Sequence, residues 1–169
     1  MKQKAKGLIG SITVGVLLTY LVTNGLVDFA SGKGPFMAQL SGSNEVPPVN
    51  TTAIGVATFQ PITASGGGAL RYQLNVTNMT GIMGAHIHSG KQGENGPVVA
   101  TLFNQNMTST PTGKVNGLLA KGVIKSGDLQ GPLKGHSMGQ LLSTYLIRGI
   151  YVNVHTQQHQ SGEIRGQIH

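Results

Sequence analysis

Six histidines and five acidic residues are all that this 169-residue chain offers for metal or acid–base chemistry, and three of the histidines fall in two strand-like segments. GAHIHSG (84–90) carries His86 and His88. GIYVNVHT (149–156) carries His155, and GEIRGQI (162–168) follows it with Glu163 and Arg165. In an extended strand, residues two apart share a face. His86 and His88 therefore point one way and Ala85 and Ile87 the other. Tyr151, Asn153 and His155 likewise oppose Val152 and Val154, and Glu163, Arg165 and Gln167 oppose Ile164 and Ile168. If the last two strands pair in register as a hairpin, Glu163 and Arg165 join the face of Tyr151, Asn153 and His155.

Two chemistries fit this pattern. Paired histidines on one strand and a third from another make a transition-metal site, because neutral imidazoles suit copper and zinc. Three protein ligands leave a position open for water or substrate, and His159, in the hairpin loop, is a candidate fourth ligand. Alternatively, the histidines bond to backbone and to Glu163 and lock loops together, within a polar network of Tyr151, Asn153, Glu163 and Arg165. Glu163 and Arg165 stand at the spacing of an ion pair with each other or with a neighbour. His136 and His169 lie outside the pattern.

Other chemistries are excluded or unsupported. With no cysteine, disulfides, thiol catalysis and Cys-based metal sites are ruled out. No two carboxylates lie near each other in sequence, so paired-carboxylate hydrolysis has no basis. Neither GxxxxGK nor GxGxxG occurs, and no nucleophile–base arrangement stands out; no catalytic residue is assigned. The net charge is +7, but Lys2, Lys4 and Lys6 open the chain. Beyond residue 32, nine Lys and Arg remain against four Asp and Glu. They are dispersed without interleaved aromatics, which gives no footprint for nucleic acid.

The elements that must hold these residues are strands. The N-terminus reads differently: MKQKAK precedes an uncharged apolar stretch at 7–27, long enough for a membrane-spanning helix. Residues 1–32 are read as a signal peptide or signal anchor, with Ala30-Ser31-Gly32 as a cleavage site if it is removed. By the positive-inside rule the rest, one domain at 33–169, lies outside the membrane. Sequons at Asn50, Asn75, Asn78 and Asn106 are compatible with export and mark candidate glycosylation sites.

Alternating apolar residues predict strands at Phe36–Leu40, 53–60 (ended by Pro61), 70–76, 82–88, 97–103, 114–125, 150–155 and 163–168. SGGG at 65–68 reads as a turn. Met138, Leu141, Leu142 and Tyr145 fall at helical spacing after Ser137, an N-cap, and before Gly149, which predicts one short helix. The expected fold is all-β: a Greek-key-like antiparallel β-sandwich of about eight strands with that helix, preceded by the N-terminal hydrophobic helix.

FMAQLSGSNEVPPVNTTAIGVATF, LRYQLNVTNMTGIMGAHIHSGKQGENGPVVATLF and GIYVNVHTQQHQSGEIRGQI resemble, in order and spacing, the CHRD domain first described in chordin and found singly in microbial secreted proteins. The resemblance runs from Phe36 to Ile168. One departure is His159-Gln160, where the family usually carries Asn-Pro or a similar pair. The resemblance implies an extracellular β-sandwich. Chordin's growth-factor binding does not transfer, because the cysteine-rich modules that accompany it are missing here. A second, weaker resemblance is to copper–zinc superoxide dismutases, sandwiches whose HxH strand and later Val-His bind copper; no matching zinc-ligand set or disulfide is present. Together these features read as an extracellular or cell-envelope interaction module, membrane-anchored or secreted, rather than an enzyme. Its partner would be an extracellular protein or envelope component. The alternative is a copper- or zinc-binding redox protein using His86, His88 and His155.

Overall fold

The structure is a computed structural model and describes residues 35–64, 67–106, 113–147 and 149–169. The N-terminal helix and the signal or anchor at 1–32 lie outside the described residues. Eight strands form one antiparallel sheet: β1 (Phe36–Ser41), β2 (Ile54–Ala64), β3 (Gly67–Met79), β4 (Ile82–Ser89), β5 (Val98–Asn104), β6 (Val115–Ile124), β7 (Ile150–Thr156) and β8 (Ile164–Gln167). Their order is β5-β4-β7-β8-β1-β2-β3-β6. The two outer strands, β5 and β6, contact each other, and the Tyr72 hydroxyl on β3 donates to the Leu102 carbonyl on β5 at 2.7 Å. The sheet is therefore curled nearly into a barrel.

Alternation decides which side chains fill the interior. Leu70, Leu74 and Val76 of β3 are buried, as are Ala85 and Ile87 of β4, Val152 and Val154 of β7, and Ile164 and Ile168 at the C-terminus. These are the residues opposite the histidines and Arg165, so the chemistry-bearing face is the outer one. Among the described residues one α-helix, α1 (Met138–Leu146), carries Met138 and Leu141 into the core. Its Ser137 side chain accepts from the Gln140 N–H, the N-cap expected from the sequence.

One strand outruns its expected end. β2 continues past Pro61 to Ala64. Its pairing with β1 stops at Phe59, opposite Phe36, while its pairing with β3 continues to Ala64. Among the described residues the strand beyond Phe59 pairs with β3 alone, a setting in which a strand tolerates proline. SGGG also belongs partly to structure: Gly67 and Gly68 begin β3.

The hairpin of β7 and β8 joins the two halves of the ladder, with β4 on one side and β1 on the other. Asn153 pairs with Arg165 and Tyr151 with Gln167. Across β7, Gly84 pairs with His155, His86 with Asn153 and His88 with Tyr151. The register puts the polar residues of β4, β7 and β8 on one continuous patch.

Leu74 is fully buried at the centre of this core, whereas Leu118 on β6 is 49% exposed. Leu74→Ala is expected to destabilise the domain by about 2–5 kcal/mol, and Leu118→Ala by no more than about 0.5 kcal/mol. Urea unfolding of both variants against wild type checks the difference; equal losses would contradict this assignment of the interior.

Candidate functional site

The three histidines meet. His86, His88 and His155 each offer a ring nitrogen, and these atoms lie within 4.8 Å of one another. Ring centroids are 5.1 Å apart for His86–His155, 5.7 Å for His88–His155 and 5.9 Å for His86–His88. β4 is bulged against β5 on both sides of this pair, between Ala85 and His86 and between Ile87 and His88. Bulges re-aim side chains. Gly84 leaves room for the cluster, because a Cβ there would come within 3.1 Å of the His86 ring.

The hydrogen bonds fix which nitrogens face inward. His88 Nδ1 lies 2.8 Å from the Gly96 carbonyl and His155 Nδ1 lies 3.0 Å from the Gln160 carbonyl. A carbonyl only accepts, so both Nδ1 atoms carry the proton and both Nε2 atoms present lone pairs. Those two Nε2 atoms, with Nδ1 of His86, are buried without a hydrogen-bond partner. Buried polar atoms are rarely left so.

Burial also keeps the rings neutral. It pushes His86 down to about 4, with repulsion from His155 and His88 adding to the effect. Burial lowers His88 too, against the raising influence of the Gly96 carbonyl; the Arg165 charge lowers it further. His155 is lowered by burial, opposed by the Gln160 carbonyl and assisted by His88.

The rest of the patch is a buried polar network. Arg165 is 1% exposed and Glu163 9%, because the loops at 42–51 and 90–97 cover the hairpin. Glu163 and Arg165 take different partners. Glu163 accepts from the Thr51 and Thr156 hydroxyls, each at 2.8 Å. Arg165 donates to the carbonyls of Lys91 and Glu94, each at 2.8 Å, and to Asn95 Oδ1 at 3.1 Å. Its guanidinium lies 3.5 Å from the Tyr151 ring centre, and Tyr151 stacks on His88 at 5.0 Å and 12°.

His159 enters through its backbone: its N–H donates to the Thr156 hydroxyl and its carbonyl accepts from Thr156 and Gly162. The three-imidazole cluster is formed without it. Among the sequons, Asn50, Asn78 and Asn106 are exposed and Asn75 is half-buried within β3.

Glu45 is a member that the sequence reading did not single out. It is 6% exposed, and its Oε2 accepts from Asn153 Nδ2 at 3.4 Å while Oε1 has no partner. Burial raises its carboxyl to about 7, although Arg165, Asn153 and the Val46 backbone pull the other way. A lone acid in a Pro-rich loop gives no periodic signal; only the folded loop shows that it lies against β7.

An eight-stranded all-β domain with three neutral, inward-facing imidazoles on its outer patch is what the geometry defines. Family models match residues 36–168 to the CHRD domain, and the chain belongs to that family. Searches among curated proteins and among solved structures returned no match.

The Glu45 shift has a definite sign. Its folded pKa of about 7 exceeds the ordinary 4.5, so the stability tied to the protonated form is complete below about 4.5 and is lost as pH rises through about 7. Glu45→Gln keeps the neutral shape at every pH. In urea unfolding it is expected to gain stability relative to wild type between pH 5 and pH 8. A difference that does not change with pH would refute the raised carboxyl.

Proposed function

We propose that this CHRD domain is an exported metal-binding module in which His86, His88 and His155 hold one copper or zinc ion. The observation that carries the reading is three imidazoles that each offer a ring nitrogen within 4.8 Å of the others, each ring also holding one buried nitrogen without a hydrogen-bond partner. Ligands about 2.0–2.1 Å from a common ion lie at most about 4.2 Å apart, so side-chain movement of about an ångström closes the triad. The carbonyls of Gly96 and Gln160 are the outer partners that metal-binding histidines ordinarily have, fixing the tautomer and the ring plane. No carboxylate joins the cluster, and an all-imidazole set suits copper and zinc. Bound copper would supply one-electron redox chemistry and bound zinc a Lewis acid. The chain's own contribution is to orient three neutral donors and leave a coordination position open at the half-buried His86 and His155. A redox role like that of the superoxide dismutases rests on this same cluster.

Export is supported by the lysine-flanked apolar segment at 7–27 and by the family. We read the segment as a retained anchor that places the domain at the outer membrane surface or cell envelope. The finer description of the fold as a Greek-key-like sandwich is supported by β6 lying beside β3 while β4 and β5 cross to the far side of the ladder. A second reading, an interaction module for an envelope or extracellular protein, is favoured by exposed apolar side chains in one row. Val56 and Leu118 flank Asn75 across β2, β3 and β6, with Ile54 nearby at 54% exposure.

Elemental analysis of the full-length chain, purified without a histidine tag, is expected to show about one copper or zinc ion per chain. His86→Ala and His155→Ala are each expected to abolish stoichiometric binding. Copper(II) or zinc(II) at 100 times its dissociation constant should stabilise wild type by about 2.7 kcal/mol. No bound ion, and no shift in thermal unfolding with either metal, would overturn the reading. For the anchor, N-terminal sequencing of mature protein is expected to find the apolar segment intact; a start near Lys33 would show that it is removed.

A further inference from the structure

We propose that Arg165 is a positioning residue for the metal ligand His88, acting through Tyr151 and the 90–97 loop; this rests on the metal reading above. Arg165 touches none of the three histidines by hydrogen bond. Its side chain is buried, and its guanidinium donates three hydrogen bonds to the 90–97 loop, to the carbonyls of Lys91 and Glu94 and the side chain of Asn95. What it does is hold that loop against the sheet.

The loop ends at Gly96, and Gly96 is the joint. Its carbonyl accepts the His88 Nδ1 proton at 2.8 Å, and its N–H donates to the Tyr151 hydroxyl at 3.1 Å. Only glycine fits there, because a Cβ would overlap the Ser89 carbonyl oxygen. Tyr151 closes the circuit by stacking on the His88 ring and lying under the Arg165 guanidinium. His88 is therefore held twice, by a hydrogen bond at one ring nitrogen and by a flat aromatic contact. Both contacts are made by groups that Arg165 touches or restrains. His155 has no share in this arrangement: its Nδ1 partner is Gln160, in the β7–β8 turn.

That asymmetry supplies the test. Full-length ¹⁵N-labelled chain, metal-free, would be studied by long-range ¹H–¹⁵N correlation, which reports the tautomer of each imidazole. Wild type is expected to show the Nδ1–H form at both His88 and His155. Arg165→Gln should mix the tautomers of His88 and leave His155 unchanged. With copper(II) as the probe and a competing chelator, its affinity should fall about 10- to 100-fold, and Arg165→Lys should recover part of the loss. Tyr151→Phe keeps the stack and should cost less than Tyr151→Leu.

If Arg165→Gln does not fold, Tyr151→Leu and Asn95→Ala decide on the same readouts. A folded Arg165→Gln with wild-type His88 tautomer and copper affinity would overturn the proposal. Equal disturbance of His88 and His155 would also overturn it, showing general loosening. Should wild type bind neither copper nor zinc while Arg165→Gln still shifts the His88 tautomer alone, positioning of the ring stands and the metal reading falls.

Discussion

The constraint on which this structure depends is that the polar face of the β7–β8 hairpin is buried. Tyr151, Asn153, Glu163 and Arg165 are all nearly inaccessible, although they point away from the apolar interior. A buried polar group without a partner costs about 1–3 kcal/mol, and more if charged. The covering loops must therefore return a partner for nearly every atom. Loop 42–51 brings Thr51 to Glu163 and Asn44 to the Arg165 carbonyl. Loop 90–97 brings two carbonyls and an amide to the guanidinium. The two loops are themselves joined, Asn95 donating to the Val46 carbonyl at 2.7 Å. Shape in this region follows from hydrogen-bond satisfaction more than from apolar packing.

Against that completeness the exceptions stand out. Nitrogens of His86, His88 and His155 lack partners, as do one oxygen of Glu45 and the Asn153 Oδ1 beside it. The acid and the imidazoles have different remedies. A carboxyl can take up a proton, and the environment of Glu45 favours that. An imidazole in the same position is held neutral by burial and by the neighbouring rings, so protonation is the disfavoured answer. A cation that accepts all three lone pairs, as proposed, would satisfy them at once. In the metal-free chain neutral His86 contributes stability above about pH 6.5 that is lost as pH falls toward 4, since the unfolded chain takes up that proton first; burial acts on His88 and His155 in the same direction.

Much of this was legible in the sequence because β-strand alternation is strict. HIH, YVNVH and EIRGQI each declare one apolar and one polar face, and the apolar residues named from that pattern do fill the core. The pairing of Asn153 with Arg165 follows from placing two such strands in a hairpin. Alternation says nothing about what lies over the polar face. It makes Arg165 look like one member of an exposed ion pair, when loops some seventy residues away in sequence provide its partners. Glu45 was hidden for the same reason, since its place depends on a loop and not on a period. The early stop at Pro61 came from reading proline as the end of the strand, whereas β2 continues past it paired, among the described residues, with β3 alone.

The position of the hairpin gives the site a consequence for the whole domain. β7 and β8 connect the β5–β4 pair to β1, β2, β3 and β6 through the ladder, while β5 and β6 meet at the outer edges. Two ligands sit on β4 and the third on β7, so an ion held by all three would bridge the seam between the hairpin and one half. Arg165, from β8, grips the loop that leaves β4 and crosses the same seam. The contacts here are among the most distant in sequence, and long-range pairing is entropically expensive to form. A site assembled at that seam depends on β4 having paired with the hairpin. An ion bound as proposed would stabilise that paired state over every partly folded one, which would couple occupancy of the site to the integrity of the fold without any movement of the core.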